Sequence, residues 1–371
     1  IALVVFYTVR LTKAGNEARL EAARAQRMQR FTLALFDGGD AVAGPADSLR
    51  VVTLLDRGVR EARSLDGEPA VQAELYLTLG GIYQKLGNFS RADSLTRLAL
   101  ARRRALFGPG NSDVAATLVS LGDLRTDQAQ FEEAERLIRQ GLDIMKRTLP
   151  PEHPDVIRAT SALGRVLQER GQYDKAIEVL GDVVRIRRAS PTPGADLGES
   201  LSALADVNFY AGHYPVSDSL NREALAIYRR FYGERHPLVA DILINLGASQ
   251  FDRGNYPEAE KLDRQALDIT QAFYGRDHFK TAGNVVMLAR ALVFENRFDE
   301  ATALLREALA IRERVYGPNH PLVASTVNEL GNIAVQRNHF DDAEAYFHRM
   351  LAIYHATYGD KHYLIGLAKS N

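Results

Sequence analysis

The stretch FYGERHPLVADILINLG (Phe231 to Gly247) returns 84 residues later as VYGPNHPLVASTVNELG (Val315 to Gly331), with a histidine-proline pair at the same place. Histidine titrates near neutral pH and is a common zinc ligand, so its recurrence raises proton transfer and metal binding as the chemistries to weigh. Similar loops carry His153, His236, His278, His320 and His362, three of them followed by Pro154, Pro237 and Pro321. Proline suits the first turn of a helix, where its missing N–H costs nothing, and it holds the preceding residue out of the helix. The same pair therefore also reads as punctuation: a loop or cap histidine bonding to local backbone, then a helix start.

The elements that carry these histidines recur at a nearly fixed period. Leu-Gly or Leu-Ala falls at Leu79-Gly80, Leu121-Gly122, Leu163-Gly164, Leu204-Ala205, Leu246-Gly247, Leu288-Ala289 and Leu330-Gly331, with successive spacings of 42, 42, 41, 42, 42 and 42 residues. Seven residues after each small anchor come Gly87, Ala129, Gly171, Gly212, Gly254, Asn296 and Asn338, mostly residue types that tolerate a left-handed helix end. An aromatic follows two further on, from Phe89, Phe131, Tyr173 and Tyr214 to Tyr256, Phe298 and Phe340. Three beyond that stands a small residue, Ala92, Ala134, Ala176, Ser217, Ala259, Ala301 or Ala343. Apolar residues then recur at helical spacing, as in AEKLDRQALDI (Ala259 to Ile269). Each unit reads as helix, turn, helix, loop. Small residues let the two axes approach closely, and the aromatic fills the space between one pair and the next. No pair can bury its apolar stripe alone, so stacking is obligatory.

This arrangement argues against a metal site. Zinc binds its ligands at about 2 Å, whereas equivalent positions on stacked helix pairs lie at least about 8–10 Å apart. Neither a metal ligand set nor a catalytic residue is predicted.

Composition narrows the remaining classes. The chain has 371 residues, 46 basic against 47 acidic, and no cysteine. A formal charge of −1 gives no electrostatic reason to expect nucleic acid. Without cysteine there is no disulfide framework, cysteine nucleophile or thiolate metal site.

The pattern resembles the tetratricopeptide repeat, in the long 42-residue form of kinesin light chains and many bacterial signalling proteins. In the fifth unit the matching residues are Asn245, Leu246, Gly247, Gly254, Tyr256, Ala259, Glu260, Leu262, Ala266 and Leu267, and the resemblance spans about Ala70 to Gly366. It implies an all-α, right-handed superhelical solenoid of antiparallel helix pairs, and a protein-protein interaction scaffold that needs no cofactor.

The flanks read differently. The apolar run IALVVFYTV (1–9) is shorter than the roughly 20 residues a membrane span needs, and suits the last turns of a truncated one. A charged Ala/Arg helix (10–36) is predicted next, then a loop and capping helix (37–69). Seven repeats occupy 70–366, with an irregular, proline-bearing junction at 187–200, and 367–371 reads as the start of an eighth. This order resembles the C-terminal half of bacterial membrane-anchored serine/threonine protein kinases, which implies a sensory or docking role and membrane attachment through the N-terminal segment. No Gly-rich phosphate loop, His-Arg-Asp or Asp-Phe-Gly occurs in this sequence. The kinase resemblance would set the repeats outside the cytoplasm, while the basic excess of Arg10, Lys13, Arg19, Arg24, Arg27 and Arg30 favours the cytoplasmic side. Alternatives are the repeat region of a signalling ATPase or caspase-like protease, or a self-assembling structural module.

The family resemblance also maps a concave groove onto the first helix of each unit. It selects Phe209 and Tyr210 in unit four, Ile244 and Phe251 in unit five, and Val286, Arg290, Val293 and Phe294 in unit six. These apolar and aromatic groups, rimmed by charge, are the expected contacts for a protein or peptide partner. Asp123 and Asp127 in unit two would receive a basic segment.

Overall fold

The computed structural model describes residues 51–65, 67–190, 193–359 and 365–366. The truncated span (1–9), the charged helix (10–36), the loop expected ahead of the capping helix, the eighth-repeat reading, His362, and the Pro191-Thr192 part of the irregular junction lie outside them. Fifteen helices and no strand occur among the described residues. A single helix α1 (Val51–Arg63) precedes α2 (Pro69–Lys85) and α3 (Phe89–Phe107), the first repeat. The second is α4 (Ser112–Asp127) and α5 (Phe131–Lys146), the third α6 (Pro154–Glu169) and α7 (Tyr173–Arg188). The fourth is α8 (Ala195–Tyr210) and α9 (Tyr214–Tyr232), the fifth α10 (Pro237–Asp252) and α11 (Tyr256–Tyr274). The sixth is α12 (Phe279–Phe294) and α13 (Phe298–Tyr316), the seventh α14 (Pro321–Gln336) and α15 (Phe340–Tyr358).

Two compact units divide between Leu124 and Arg125. In the first, α1 docks on the opening repeat: Tyr83 donates to Asp56 (2.5 Å), and Gln72 Nε2 donates to the Ala62 carbonyl (2.9 Å). In the second, each helix from α5 onward packs on its chain neighbours. The first helices α6, α8, α10, α12 and α14 also touch one another in sequence. The second unit is thus an all-α stack of antiparallel helix pairs, as the sequence pattern predicts.

The turn inside each repeat follows from its residue type. All seven residues from Gly87 to Asn338 have positive φ, between 55° at Ala129 and 78° at Gly212. The next amide reaches back five residues, as in Gln130 N–H to Arg125 O (2.8 Å) and Asn255 N–H to Gln250 O (2.9 Å). That bond satisfies a carbonyl the helix end would leave bare. Ala129 alone pays the steric cost of a left-handed alanine, about 1–2 kcal/mol. Ala129→Gly is accordingly expected to stabilise the chain by roughly 1 kcal/mol in urea unfolding.

The small anchors mark where paired helices cross. A Cβ built on Gly164 would lie 2.5 Å from Leu180 Cγ, and one on Gly331 would lie 2.6 Å from the Phe347 ring. The small residues of the second helices, from Ala92 to Ala343, are all buried.

The histidines are helix caps. In His153, His236, His278 and His320, Nδ1 accepts the backbone N–H two residues on, at 3.1 to 3.3 Å. Asn111 does the same in the second repeat, its Oδ1 accepting from Asp113 at 2.7 Å. Three histidines stack on the tyrosine four residues earlier: His236 on Tyr232, His278 on Tyr274 and His320 on Tyr316, with centroids 4.3 to 4.4 Å apart. A cap that accepts through Nδ1 must keep that nitrogen unprotonated. Burial, helped by the nearby Arg312 charge, pushes His320 down to about 4.

Because this pKa is depressed, the stability it contributes is complete above the ordinary value near 6.5. It is lost as pH falls from there toward about 4. His320→Asn should retain the cap through its amide oxygen, as Asn111 does, and flatten that acid-side slope in chemical denaturation curves.

Candidate partner-binding groove

The successive contacts of α8, α10, α12 and α14 place their outward residues along one face of the second unit. Their C-terminal turns carry the aromatics singled out in the sequence. Tyr210 is 58% exposed and Phe294 52%, whereas Phe209, Ile244, Phe251 and Val293 are half-buried. Two large aromatics left more than half in water at the ends of packed helices are not needed for stacking.

The rings form two clusters. Phe209 meets Tyr210 and Tyr214 edge-on at 5.4 and 5.5 Å. Phe251 meets Tyr256 at 5.4 Å and Phe294 at 4.9 Å, and Tyr256 stacks on Phe294 at 4.9 Å. Tyr256 is the aromatic that recurs in phase in every repeat, and its stacking on Phe294 fills the gap to the next pair, as expected. The Arg290 guanidinium lies over the Phe251 ring, 5.0 Å from its centroid. Its Nε is 3.9 Å from Glu329, a long ion pair.

A cleft of about 400 Å³ opens beside this second cluster, lined by Phe251, Arg290, Val293, Phe294, Glu329 and Phe347 among others. A smaller one of about 230 Å³ lies by the first, lined by Gln168, Asp206, Phe209, Tyr210 and Asn245. Asp206 accepts a hydrogen bond from Asn245 Nδ2 (3.0 Å), yet burial pushes its carboxyl up to about 7. Burial also raises Glu329, against the lowering effect of Arg290. The floor of the groove is thus acidic but poorly hydrated. It can hold apolar side chains between aromatic walls and accept hydrogen bonds from a partner's amides.

Not every residue read from the sequence stands here. Val286 is 3% exposed and packs in the core with Leu288, Leu305 and Ile311, so the groove position it occupies by register turns inward. Asp127 is bonded to Arg165 of the next repeat at 2.9 Å, which occupies the charge expected to meet a basic segment. Asp123 is half-buried in the first unit, away from both aromatic clusters in sequence.

The structure adds Asn245, Glu329 and Phe347. Phe347 belongs to a second helix, α15, and lines the cleft where Gly331 has no side chain to block its ring. Its signal in the sequence is the anchor glycine, Gly331, which marks the helix crossing.

Among the described residues no group of three or more His, Asp or Glu side chains is assembled as a metal site, and no helix is long and apolar enough to cross a membrane.

Comparison with known proteins agrees with this geometry. A tetratricopeptide repeat family model matches residues 71–147, 113–189, 196–272, 238–306 and 284–356. No curated protein matches the sequence. Among solved structures, BtubC (BKLC) from P. vanneervenii is 21% identical with a TM-score of 0.52, over 62% of this chain and 94% of that one. A Rap protein complexed with Competence and Sporulation Factor is 14% identical with a TM-score of 0.59, over 82% and 80%. A Signal Transduction ATPase with Numerous Domains protein with a tetratricopeptide repeat sensor, from Pyrococcus horikoshii, is 14% identical with a TM-score of 0.52. It is matched over 86% of this chain and 47% of its own. At such identities these likenesses speak for the fold. With its family model matched across most of the sequence and every repeat turn in left-handed geometry, this chain belongs to the tetratricopeptide repeat family.

Proposed function

We propose that the groove of repeats four to seven binds an extended segment of a partner protein. The observation that carries this is the cluster of Phe251, Arg290 and Phe294 beside an open cleft, with Phe294 half in water. A partner side chain seated there would remove aromatic surface from water at about 25 cal/mol per Å². The Arg290 guanidinium, already stacked on Phe251, offers polar anchoring at the rim. Members of this family act as interaction scaffolds. The similarly folded Rap protein was crystallised with a bound factor, which supports the idea that such arrays hold ligands.

The test is selection of peptides from a displayed random library on the immobilised chain. Binders that lose affinity when Phe294 or Phe251 is replaced support the groove. Binders indifferent to both place the recognition surface elsewhere.

The finer reading is that the array is the sensory or docking region of a membrane-anchored bacterial serine/threonine kinase. What supports it is the order of apolar run, charged helix and long repeats. Recovering the genomic reading frame decides this: a kinase domain and complete span encoded ahead of Ile1 would sustain it, and their absence would remove it. No catalytic role is proposed for the repeats themselves.

A further inference from the structure

Arg312 in α13 is 6% exposed, yet no carboxylate of a described residue pairs with it. One terminal nitrogen, Nη1, donates to the Leu322 carbonyl (2.8 Å), Ser325 Oγ (3.2 Å) and Thr326 Oγ1 (2.7 Å). All three acceptors are neutral. Nε is buried without a partner, and Nη2 bonds to none of the described residues. Burial pushes this guanidinium below its ordinary pKa. A buried charge without a counter-charge is costly, and proteins resolve it by pairing.

Nη2 lies next to a gap. A Cβ built on Gly283 would sit 3.9 Å from it and within 4 Å of nothing else. Gly283 is a partly exposed groove position of α12, on the same face as Arg290 and Phe294. The missing side chain leaves a notch through which an anion can reach Nη2 from the groove.

The first repeat carries an arginine at the same position with the same bonds to the next helix. Arg103 stands 14 residues after Phe89, as Arg312 does after Phe298, and it too is buried. Its Nη1 donates to the Asp113 carbonyl (3.1 Å) and Thr117 Oγ1 (2.9 Å), matching the bonds of Arg312 to Leu322 and Thr326. Six residues before the anchor, where repeat six has Gly283, repeat one has Glu74. The chain thus carries a carboxylate residue at this position in one repeat and a glycine in the other.

We propose that Arg312 and the notch at Gly283 form a carboxylate subsite of the groove, taking an acidic side chain or the C-terminal carboxylate of the bound segment. This rests on the groove reading and adds a spacing to it. Gly283 precedes Phe294 by 11 residues on one helix, roughly 16 Å. An extended partner covers that in about five residues. The carboxylate should therefore lie about five residues from an apolar anchor.

The probe is sodium acetate, compared with sodium chloride at equal ionic strength, with thermal unfolding as readout. Acetate is expected to raise the melting temperature of the wild-type chain by about 2–4 °C. Both Gly283→Glu and Gly283→Gln gain helix propensity over glycine, so the subsite is read as a further gain of Gly283→Glu over Gly283→Gln without acetate, with no added response of Gly283→Glu to acetate. Arg312→Met should abolish the response. An undiminished acetate effect in Arg312→Met, or a Gly283→Glu chain no more stable than Gly283→Gln, overturns the subsite. Displayed peptides then separate the two carboxylate sources: loss of binding on C-terminal amidation marks the terminus, and loss on Glu→Gln exchange within the peptide marks a side chain. If no peptide binds while the acetate response and the Gly283→Glu gain persist, the groove reading falls and the subsite stands.

Discussion

Replacing Asp263 with asparagine is expected to raise the unfolding free energy at pH 8 by about 2–4 kcal/mol, measured by urea denaturation. Asp263 lies in α11 and is 4% exposed. Its Oδ1 has no hydrogen-bond partner. A Cβ on Gly247 would lie only 2.6 Å from that oxygen, so the carboxyl sits where α10 and α11 cross. Burial pushes its pKa up to about 7, with Arg290 pulling weakly the other way. Since the folded value is raised, the favourable contribution is complete below the ordinary carboxylate value of 3.8. It is lost as pH rises through about 7. Asparagine removes the charge at nearly constant volume. Its amide can donate to the carbonyl four residues back, as Asn208 does to Leu204 at 2.8 Å.

The same substitution separates two opposed slopes. Asp263 and Asp206 make the chain less stable as pH climbs from about 4 to about 7. The His320 cap makes it more stable over much of that range. The wild-type profile between pH 4 and 6.5 contains both slopes, with opposite signs. In Asp263→Asn the histidine slope should emerge more steeply. An Asp263→Asn chain with unchanged stability at pH 8 and an unchanged profile would show that the carboxyl is solvated in solution.

Phe294→Ala is expected to weaken a groove-selected peptide by about 10- to 100-fold, read by calorimetric titration. The melting temperature should move little, because the ring is 52% exposed and closes no core. Phe294 supplies one wall of the cleft and packs on both Phe251 and Tyr256. Its loss would also free the Phe251 ring, so part of the effect is loss of preorganisation. Val286→Ala is the contrast. That side chain is in the core, and its truncation should lower stability by about 1–3 kcal/mol. Binding per folded molecule should be unaffected. A stability loss at Phe294 matching that at Val286 would mean that the aromatic serves stacking.

The sequence by itself determined the repeat, its turns and its caps. Each of these rests on forces acting within a few residues of chain. A left-handed helix end selects glycine or asparagine through backbone sterics, and six of the seven turn residues from Gly87 to Asn338 are one or the other. A proline after a histidine fixes a helix start regardless of what packs on it. The stacking of pairs followed from apolar stripes that no single pair can bury.

Only the tertiary structure decided which groove residues face water. Val286 and Phe294 lie on one helix eight residues apart and both match the groove register, yet one is buried and the other exposed. That difference depends on how closely neighbouring helices approach, which is set by side-chain volumes from other repeats. Phe347 reaching the cleft past Gly331, Asp263 held bare at a crossing, and Arg312 without a counter-charge arise the same way. Each is a relation between residues brought together by packing. A periodic pattern fixes where residues recur along the chain, while burial and charge pairing depend on what that packing leaves beside them.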